Sequence, residues 1–236
     1  MPRLSEWKMI FVDNCNNRLI ILNEVGTLDK GIHCSQGDPF DVTCIDDTTV
    51  AVSTANGIEI TNIVSTNTER RIKTSKPCYG ITHHNGVLLW CEYQRGIQMM
   101  KLSDDRVTTL VKQSNLPYYS YVTTGGDSIY QTNCHTSTVT CYTMKGGQLW
   151  VYKDVSVVKD PWGITVDNNS NVYLTSRASH KVGVLEPDGR QGRQLISIDD
   201  GLDGPTGIYY HQSKNSLLVT SLDGPAFLYE MCKICL

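Results

Sequence analysis

Residues Pro161-Trp-Gly-Ile-Thr-Val-Asp-Asn-Asn-Ser-Asn-Val-Tyr-Leu-Thr-Ser-Arg177 are followed by Lys181-Val-Gly-Val-Leu-Glu-Pro-Asp-Gly189 and then by Arg193-Gln-Leu-Ile-Ser-Ile198. This stretch contains four short runs that are apolar or that alternate in polarity. Turn-forming residues such as Asp, Asn, Ser, Pro and Gly separate the runs. The stretch therefore predicts four consecutive β-strands joined by tight turns.

The same phrase recurs along the chain. Pro205-Thr-Gly-Ile-Tyr-Tyr210 and Pro77-Cys-Tyr-Gly-Ile-Thr82 repeat its beginning, and weaker copies begin at Pro39 and Pro117. Successive repeat prolines are 38, 40, 44 and 44 residues apart, which is the length of one four-stranded propeller blade. We therefore predict one all-β domain over residues 1–236, a six-bladed β-propeller with units that start near residues 7, 39, 77, 117, 161 and 205.

The first and last units are predicted to be incomplete. Residues 8–13 and 18–22 match the second and third strands of the repeat, so the first unit lacks its inner strand. The last unit, after Pro205, has three strand-like runs. Because propellers usually complete one blade from both termini to avoid an unpaired edge, two alternatives stay open. Either two blades are three-stranded, or upstream residues of a longer protein supply the missing strand.

Composition and charge exclude several classes of protein. Hydrophobic residues make up 40% of the chain, enough for a core, and a formal net charge of -3 provides no global basic field for nucleic acid. The polar start, residues 1–6, lacks the apolar core of a signal peptide, and no apolar run approaches the roughly 20 residues of a membrane span. Nine scattered cysteines are predicted to be buried, reduced thiols, so we expect a cytoplasmic, soluble protein.

The repeat at residues 161–189 resembles the NHL repeat. The spacing of the repeat units is similar to that in the C-terminal propeller of animal tripartite-motif proteins. In that family the propeller recognises protein partners or single-stranded RNA, while an N-terminal RING, B-box and coiled coil supply ubiquitin transfer and assembly. None of those parts occurs in this sequence. The resemblance therefore implies a recognition or scaffold domain, and ubiquitin-ligase activity could belong only to a longer parent protein.

One face of the propeller is predicted to bind the ligand. In propellers, the loops that lead into the inner strands and the loops between second and third strands gather on one face around the channel. Here these loops carry aromatic residues just after the repeat prolines, together with basic residues and histidines. The predicted ligand-binding residues are Phe40, Tyr79, Tyr118, Trp162, Arg18, Arg95, His135, Arg177, His180 and Lys181.

Two kinds of ligand fit aromatic residues interleaved with Arg and Lys. Such residues stack on nucleic-acid bases and also form hot spots for protein partners. Because the acidic balance of the chain weakens phosphate binding, a protein or peptide is favoured, single-stranded RNA is the alternative, and no membrane is involved. Trp162 and Tyr118 are expected to be the most exposed of the aromatic residues, although any residue at these positions could instead pack between blades.

A metal-dependent hydrolase or lyase is the second alternative, since some six-bladed propellers hold a divalent cation in the channel. The possible ligands are Asp38, Asp160, Asp203 and Asn133, but Asp38 and Asp160 immediately precede repeat prolines, where Asp commonly forms turns. No nucleophile elbow or phosphate loop occurs. We therefore predict no catalytic residue, no metal and no cofactor.

Two further motifs have ordinary explanations. The pair Cys232 and Cys235 has no second pair or nearby histidine to complete a zinc site. The histidines His83 and His84 precede a turn at Asn85-Gly86. Because neighbouring strand residues point in opposite directions, the two do not form one chelating face, and we expect them to be surface residues.

Overall fold

The computed structural model describes residues 8–104, 106–222 and 224–231. These residues form 22 β-strands in six small antiparallel sheets arranged in a ring. Each sheet is made of strands that are consecutive in sequence, so each corresponds to one propeller blade. The prediction of an all-β, six-bladed propeller is confirmed.

We number the blades 1 to 6 in chain order. Blade 1 comprises β1 (Met9–Asp13), β2 (Arg18–Leu22) and β3 (Leu28–His33), and blade 2 comprises β4 (Pro39–Cys44), β5 (Thr49–Thr54), β6 (Gly57–Asn62) and β7 (Asn67–Lys73). Blade 3 comprises β8 (Cys78–His84), β9 (Val87–Glu92), β10 (Gly96–Lys101) and β11 (Val107–Lys112). Blade 4 comprises β12 (Val122–Gly125), β13 (Ser128–Asn133), β14 (Thr138–Thr143) and β15 (Gln148–Tyr152).

The last two blades lie between residues 161 and 230. Blade 5 comprises β16 (Pro161–Val166), β17 (Val172–Ser176), β18 (Lys181–Leu185) and β19 (Gly192–Ile196), and blade 6 comprises β20 (Pro205–His211), β21 (Ser216–Ser221) and β22 (Ala226–Glu230). Three-residue 3-10 turns follow β1, β17 and β19. No helix among the described residues is long and apolar enough to cross a bilayer.

Turn chemistry explains how the strands are joined. Between β16 and β17, one carboxylate oxygen of Asp167 accepts hydrogen bonds from the backbone N–H groups of Asn169, at 2.8 Å, and of Asn171, at 2.9 Å. The other oxygen accepts from the hydroxyl of Tyr173 at 3.1 Å. The predicted turn at residues 167–171 is therefore held by an Asp side chain that replaces the missing backbone partners.

The hydrophobic core is divided among the spaces between blades. Successive residues of a strand point to opposite faces of the sheet. In β9, Leu88 and Trp90 face blade 2, whereas Leu89 and Cys91 face blade 4, and all four are fully buried. Because both faces of a blade are covered, its middle strands read as continuous apolar runs.

Among the described residues, blades 1 and 6 each have three strands, which agrees with the prediction that the first and last units are incomplete. After β1, a 3-10 turn leads to Asn17 in the left-handed region, and after β17 an equivalent turn leads to His180 in the same conformation. This correspondence identifies β1 as a second strand, so blade 1 has no inner strand among the described residues. The five buried clusters each join blades that are consecutive in sequence.

Glycines allow the inner strands to approach one another. A Cβ atom at Gly80 would lie 2.3 Å from the Cα of Tyr121 in the next blade, and one at Gly163 would lie 2.6 Å from the carbonyl oxygen of Thr206. Both distances are shorter than any real contact of a Cβ atom. The glycine that directly precedes the isoleucine of the repeat phrase is therefore required for the packing of the inner strands.

The expectation that the cysteines are buried thiols holds only in part. Cys34, Cys78, Cys91 and Cys141 are buried and free, but Cys15 and Cys44 are free and exposed, and Cys134 is intermediate. Cys15 is exposed because it lies in the 3-10 turn after β1, and Cys44 because it ends β4 at the surface.

Candidate recognition face

The face predicted to bind a ligand is built from the starts of the inner strands. Phe40, Tyr79 and Trp162 each occupy the second residue of an inner strand, β4, β8 and β16 respectively. Tyr118 instead lies in the loop before β12, because that strand begins only at Val122, five residues after the repeat proline. The four aromatic residues are nevertheless brought together by the structure.

Six rings from four blades contact one another in an unbroken series that we call the aromatic cluster. Ring centroids are 4.6 Å apart for Phe40 and Tyr79, 5.2 Å for Tyr79 and Tyr119, and 4.2 Å for Tyr119 and Trp162. Tyr118 stacks on Tyr93 at 3.9 Å and contacts Tyr79 edge-on at 5.8 Å. The cluster consists of Phe40, Tyr79, Tyr93, Tyr118, Tyr119 and Trp162.

The loop Pro117–Tyr119 joins the parts of this cluster. Tyr119 has a φ of 56°, in the left-handed region that non-glycine residues rarely adopt. The two consecutive tyrosines contact different blades, since Tyr118 stacks on Tyr93 of blade 3 and Tyr119 stacks on Trp162 of blade 5. A strained residue held at a surface is a feature often found at binding sites.

Exposure within the cluster differs from the prediction for one residue. Tyr118 is 43% exposed, as expected, and Tyr119 is 39% exposed, but Trp162 is only 8% exposed. Trp162 is covered because Tyr119 stacks on its ring and the guanidinium carbon of Arg177 lies 5.0 Å from its centroid. Its indole N–H donates to a carboxylate oxygen of Asp160 at 3.2 Å. Trp162 therefore supports the other rings, whereas Tyr118 and Tyr119 form the exposed part of the cluster.

Hydroxyl groups on the second strands hold the cluster backbone in place. Thr132 of β13 donates to the carbonyl oxygen of Trp162 in the next blade, at 2.8 Å, and accepts from the N–H of Tyr121 in its own blade, at 2.9 Å. Ser53 of β5 donates in the same way to the carbonyl oxygen of Tyr79. Because these hydroxyls are buried, they fix the positions of neighbouring blades relative to one another.

Arg177 and Arg95 are both held by carboxylates. Arg177 lies over Trp162 and 4.0 Å from Asp160. Arg95 pairs with the buried Glu92 at 3.1 Å and donates to the hydroxyl of Ser75 at 2.7 Å. Of the predicted basic residues, Arg177 is the one that the structure places against the aromatic cluster.

The other predicted residues have different partners. Arg18 forms an ion pair with Asp13 at 2.7 Å in blade 1. Lys181 approaches the carbonyl oxygen of Ser156 at 3.4 Å. His135 is exposed in the turn between β13 and β14. All three lie in second-to-third-strand loops or at their ends, as predicted. Arg18 pairs within its own blade, and Lys181 contacts the loop before β16.

His180 borders a shallow cleft between blades 5 and 6. Its Nδ1 lies 2.7 Å from a carboxylate oxygen of Asp203 and 3.1 Å from the backbone nitrogen of Gly204. The cleft has a volume of about 390 Å³, and Arg177 and the exposed Leu222 also line it. Because Arg177 belongs to both features, the cleft adjoins the aromatic cluster.

Burial raises the pKa of several inner groups of this face. Desolvation raises the pKa of Tyr79 and of Tyr121 well above the ordinary tyrosine value of 10.0. Desolvation also raises the pKa of Asp41, on the inner strand β4, to about 7, against the lowering effect of hydrogen bonds from the N–H groups of Ile81 and Val42. The buried phenol of Tyr79 therefore stays uncharged.

The four residues considered as metal ligands have other partners or lie apart. Asp160 accepts from Trp162, Asp203 pairs with His180, and Asn133 accepts from the N–H of Thr136 at 3.1 Å. Asp38 is exposed in the loop before β4. Within the described part of the chain, no group of three or more His, Cys, Asp or Glu side chains could hold a metal ion. The pair Cys232 and Cys235 lies outside the described residues.

Sequence reasoning missed Tyr119 and Tyr93. Tyr119 follows Tyr118 directly, and its contribution depends on the longer spacing between Pro117 and β12, which the repeat length alone does not reveal. Tyr93 lies in the turn between β9 and β10, one of the loops predicted to face the ligand. A search of those loops for aromatic as well as basic residues would have found it.

Known structures share the fold at low sequence identity. No protein-family model matches the chain, and no curated protein matches it. A protein of unknown function from Bacteroides caccae is 12% identical, with a TM-score of 0.75 over 91% of this chain and 82% of that chain. Virginiamycin B lyase from Staphylococcus aureus is 17% identical, with a TM-score of 0.69 over 97% and 82% of the two chains.

A streptogramin B lyase is similar to the same degree, with 15% identity and a TM-score of 0.69 over 96% of this chain and 80% of that chain. At such identities the likeness shows the fold alone. The chain is a six-bladed β-propeller with an aromatic cluster on the face where the inner strands begin.

Proposed function

We propose that this propeller is a non-catalytic recognition domain that binds a protein partner through its aromatic cluster. The observation that carries the proposal is the contiguity of the six rings, with Tyr118 and Tyr119 about two-fifths exposed. Exposed aromatic residues backed by a rigid framework are typical of protein-binding hot spots, because they bury a large area at a small cost in side-chain entropy.

The charges around the cluster favour a protein over RNA. Arg177, the cation over Trp162, lies 4.0 Å from Asp160, and Arg95, in the same turn as Tyr93, pairs with Glu92. A surface that binds single-stranded nucleic acid combines stacking residues with a positively charged groove along the backbone. The cluster offers rings for stacking, but carboxylates balance the positive charges beside it.

The proposal includes the family and the cellular setting suggested by the sequence. We infer that the domain is of the NHL type, because the repeat phrase at residues 161–189 maps onto the first three strands of blade 5 and the turns that join them. In a tripartite-motif ubiquitin ligase, this face would select the protein to be ubiquitinated. Seven free cysteines among the described residues support a cytoplasmic location.

Selection of ligands on the purified chain tests the proposal. A displayed library of random peptides would be enriched on the wild-type protein, with Tyr119→Ala as the counter-selection and Tyr209→Ala as the matched control. Tyr209 is an exposed tyrosine on β20 outside the cluster. We expect peptides that bind the wild-type protein and the Tyr209 variant but not the Tyr119 variant. Peptides that bind all three equally would contradict the proposal.

An RNA arm separates the alternative function. Fluorescence anisotropy with a random single-stranded RNA pool would be measured at two salt concentrations. Binding that weakens steeply with salt and requires Tyr118 or Tyr119 would favour the RNA-binding propeller and overturn the protein-binding proposal, because release of counterions makes such binding salt-dependent.

A further inference from the structure

The turn between β8 and β9 brings two histidines to one Asn-Gly dipeptide. β8 ends at His84 and β9 begins at Val87, so Asn85 and Gly86 alone form the turn. Both have positive φ, 47° and 76°, as a two-residue type I′ hairpin requires. In such a turn the N–H of the second residue has no partner in the hairpin. Here it donates to Nε2 of His83 at 3.0 Å.

The second histidine reaches the side chain of the same asparagine. Nε2 of His84 lies 3.0 Å from Nδ2 of Asn85. His83 and His84 are adjacent strand residues, so their side chains leave the strand on opposite faces and approach the turn from two sides. The two imidazoles thus contact the two nitrogen atoms that change partners when an asparagine cyclises onto the following residue.

We propose that Asn85 is a site of self-catalysed deamidation, in which His83 acts as the base and His84 as the proton donor. Nε2 of His83 takes the proton of the Gly86 N–H while that nitrogen attacks Cγ of Asn85 and forms a new C–N bond. The Cγ–Nδ2 bond then breaks, His84 relays a proton from water to the departing nitrogen, ammonia leaves, and His83 returns its proton to the solvent. Water opens the resulting succinimide to an aspartyl or isoaspartyl residue.

The state of His83 suits the role of a base. A general base must lie within about 2.6 to 3.2 Å of the atom that loses the proton, and the observed distance satisfies this. Burial is the main cause that lowers the pKa of His83, with repulsion from His84 in the same direction, while a hydrogen bond to the backbone of Cys44 and the charge of Asp46 oppose it. The net lowering keeps the ring neutral at neutral pH, so Nε2 has a free electron pair.

The chain contains a second Asn-Gly dipeptide that serves as an internal control. Asn56 donates from Nδ2 to the carbonyl oxygen of Gln36 at 2.9 Å, which holds its amide away from cyclisation. Gly57 is buried, and a Cβ there would lie 2.3 Å from the carbonyl oxygen of Ile72. Both dipeptides are Asn-Gly, so a difference between their deamidation rates must arise from the surrounding structure.

The modification would leave the recognition face intact. The turn joins the first and second strands of blade 3, whereas the aromatic cluster lies at the starts of the inner strands, at the other end of β8. Deamidation places a new carboxylate beside two histidines and, in the isoaspartyl form, adds a backbone atom to the turn. The proposal is thus independent of the proposed binding function.

Peptide mapping by mass spectrometry during incubation of the full chain near neutral pH tests the proposal. We expect Asn85 to deamidate about tenfold or more faster than Asn56 in the folded protein, and faster in the folded protein than in urea. His83→Gln should remove most of this advantage while leaving the rate at Asn56 unchanged, and His84→Gln should reduce it.

Two results would overturn the proposal. One is a rate at Asn85 that is lower in the folded protein than in urea, since the turn would then protect the asparagine. The other is a rate that neither histidine variant changes, in protein that circular dichroism shows to be folded. The comparison with urea uses the wild-type chain, so it stands even where a variant fails to fold.

Discussion

The ring of Tyr119 lies 4.2 Å from the ring of Trp162, and the two planes differ by 9°, although the residues belong to different blades. Tyr119 comes from a loop of blade 4 and Trp162 from the inner strand of blade 5. Stacked pairs of this kind contribute about 0.5 to 1.5 kcal/mol beyond the burial of their area. The aromatic cluster therefore depends on the closure of several blades around the channel.

Trp162 is expected to contribute to stability. Because its side chain is 8% exposed, Trp162→Ala should lower the free energy of unfolding by roughly 3 to 5 kcal/mol. Arg177→Ala removes the cation above the same ring from a partly exposed position and should cost about 1 kcal/mol or less. Urea titration of both variants measures these values. A change within about 0.5 kcal/mol for Trp162→Ala would instead place its ring at the free surface.

The inner-strand glycines are predicted to be irreplaceable. Gly80→Ala would place a Cβ 2.3 Å from the backbone of Tyr121, so the blades must separate and the free energy of unfolding should fall by roughly 1 to 3 kcal/mol or more. Gly31→Ala is the matched control, because the nearest atoms to its Cβ would be 3.7 Å away, and it should change stability by no more than about 0.5 kcal/mol. Thermal unfolding compares the two, and equal losses would argue against the close approach of the inner strands.

Asp41 should make stability depend on pH. Desolvation raises its pKa from 3.8 to about 7 in the folded chain, so the folded state favours the protonated carboxyl group. The stability that this group contributes is fully present below about pH 4 and is lost as the pH rises towards 7. Asp41→Asn removes the titration.

The measurement is the difference in free energy of unfolding between the wild-type protein and Asp41→Asn. Between pH 4 and 7 the wild-type protein should become less stable relative to the variant, by roughly 1 to 3 kcal/mol. The comparison at each pH cancels the contributions of all other groups. A difference that is constant over this range, or that changes in the opposite direction, would show that the carboxyl group remains hydrated.

The repeat made the fold predictable, but it could not predict exposure within the site. Prolines at 39, 161 and 205 begin inner strands, so their spacing identified the blades. The period also identified the first and last units as incomplete. These features depend on local turn chemistry and on the alternation of polarity along single strands. Both are determined by residues that are close together in the sequence.

Contacts between blades were harder to predict. The burial of Trp162 results in part from Tyr119, which lies 43 positions away in the sequence and meets it only when blades 4 and 5 assemble. Arg177 reaches the same ring within blade 5, because β16 pairs with β17. Pro117 precedes its strand by more residues than the other repeat prolines, and this longer loop alone places a second tyrosine over the channel. Spacing within one repeat contains no information about such contacts.

The affinity of an enriched peptide for three proteins tests the central claim most directly. Isothermal titration calorimetry would compare the wild-type chain, Tyr119→Ala and Tyr209→Ala. If the aromatic cluster is the recognition face, Tyr119→Ala should weaken binding by about tenfold or more, which corresponds to about 1.4 kcal/mol, while Tyr209→Ala should leave the affinity unchanged. Equal affinities for all three proteins would contradict the account and move the binding site away from this face.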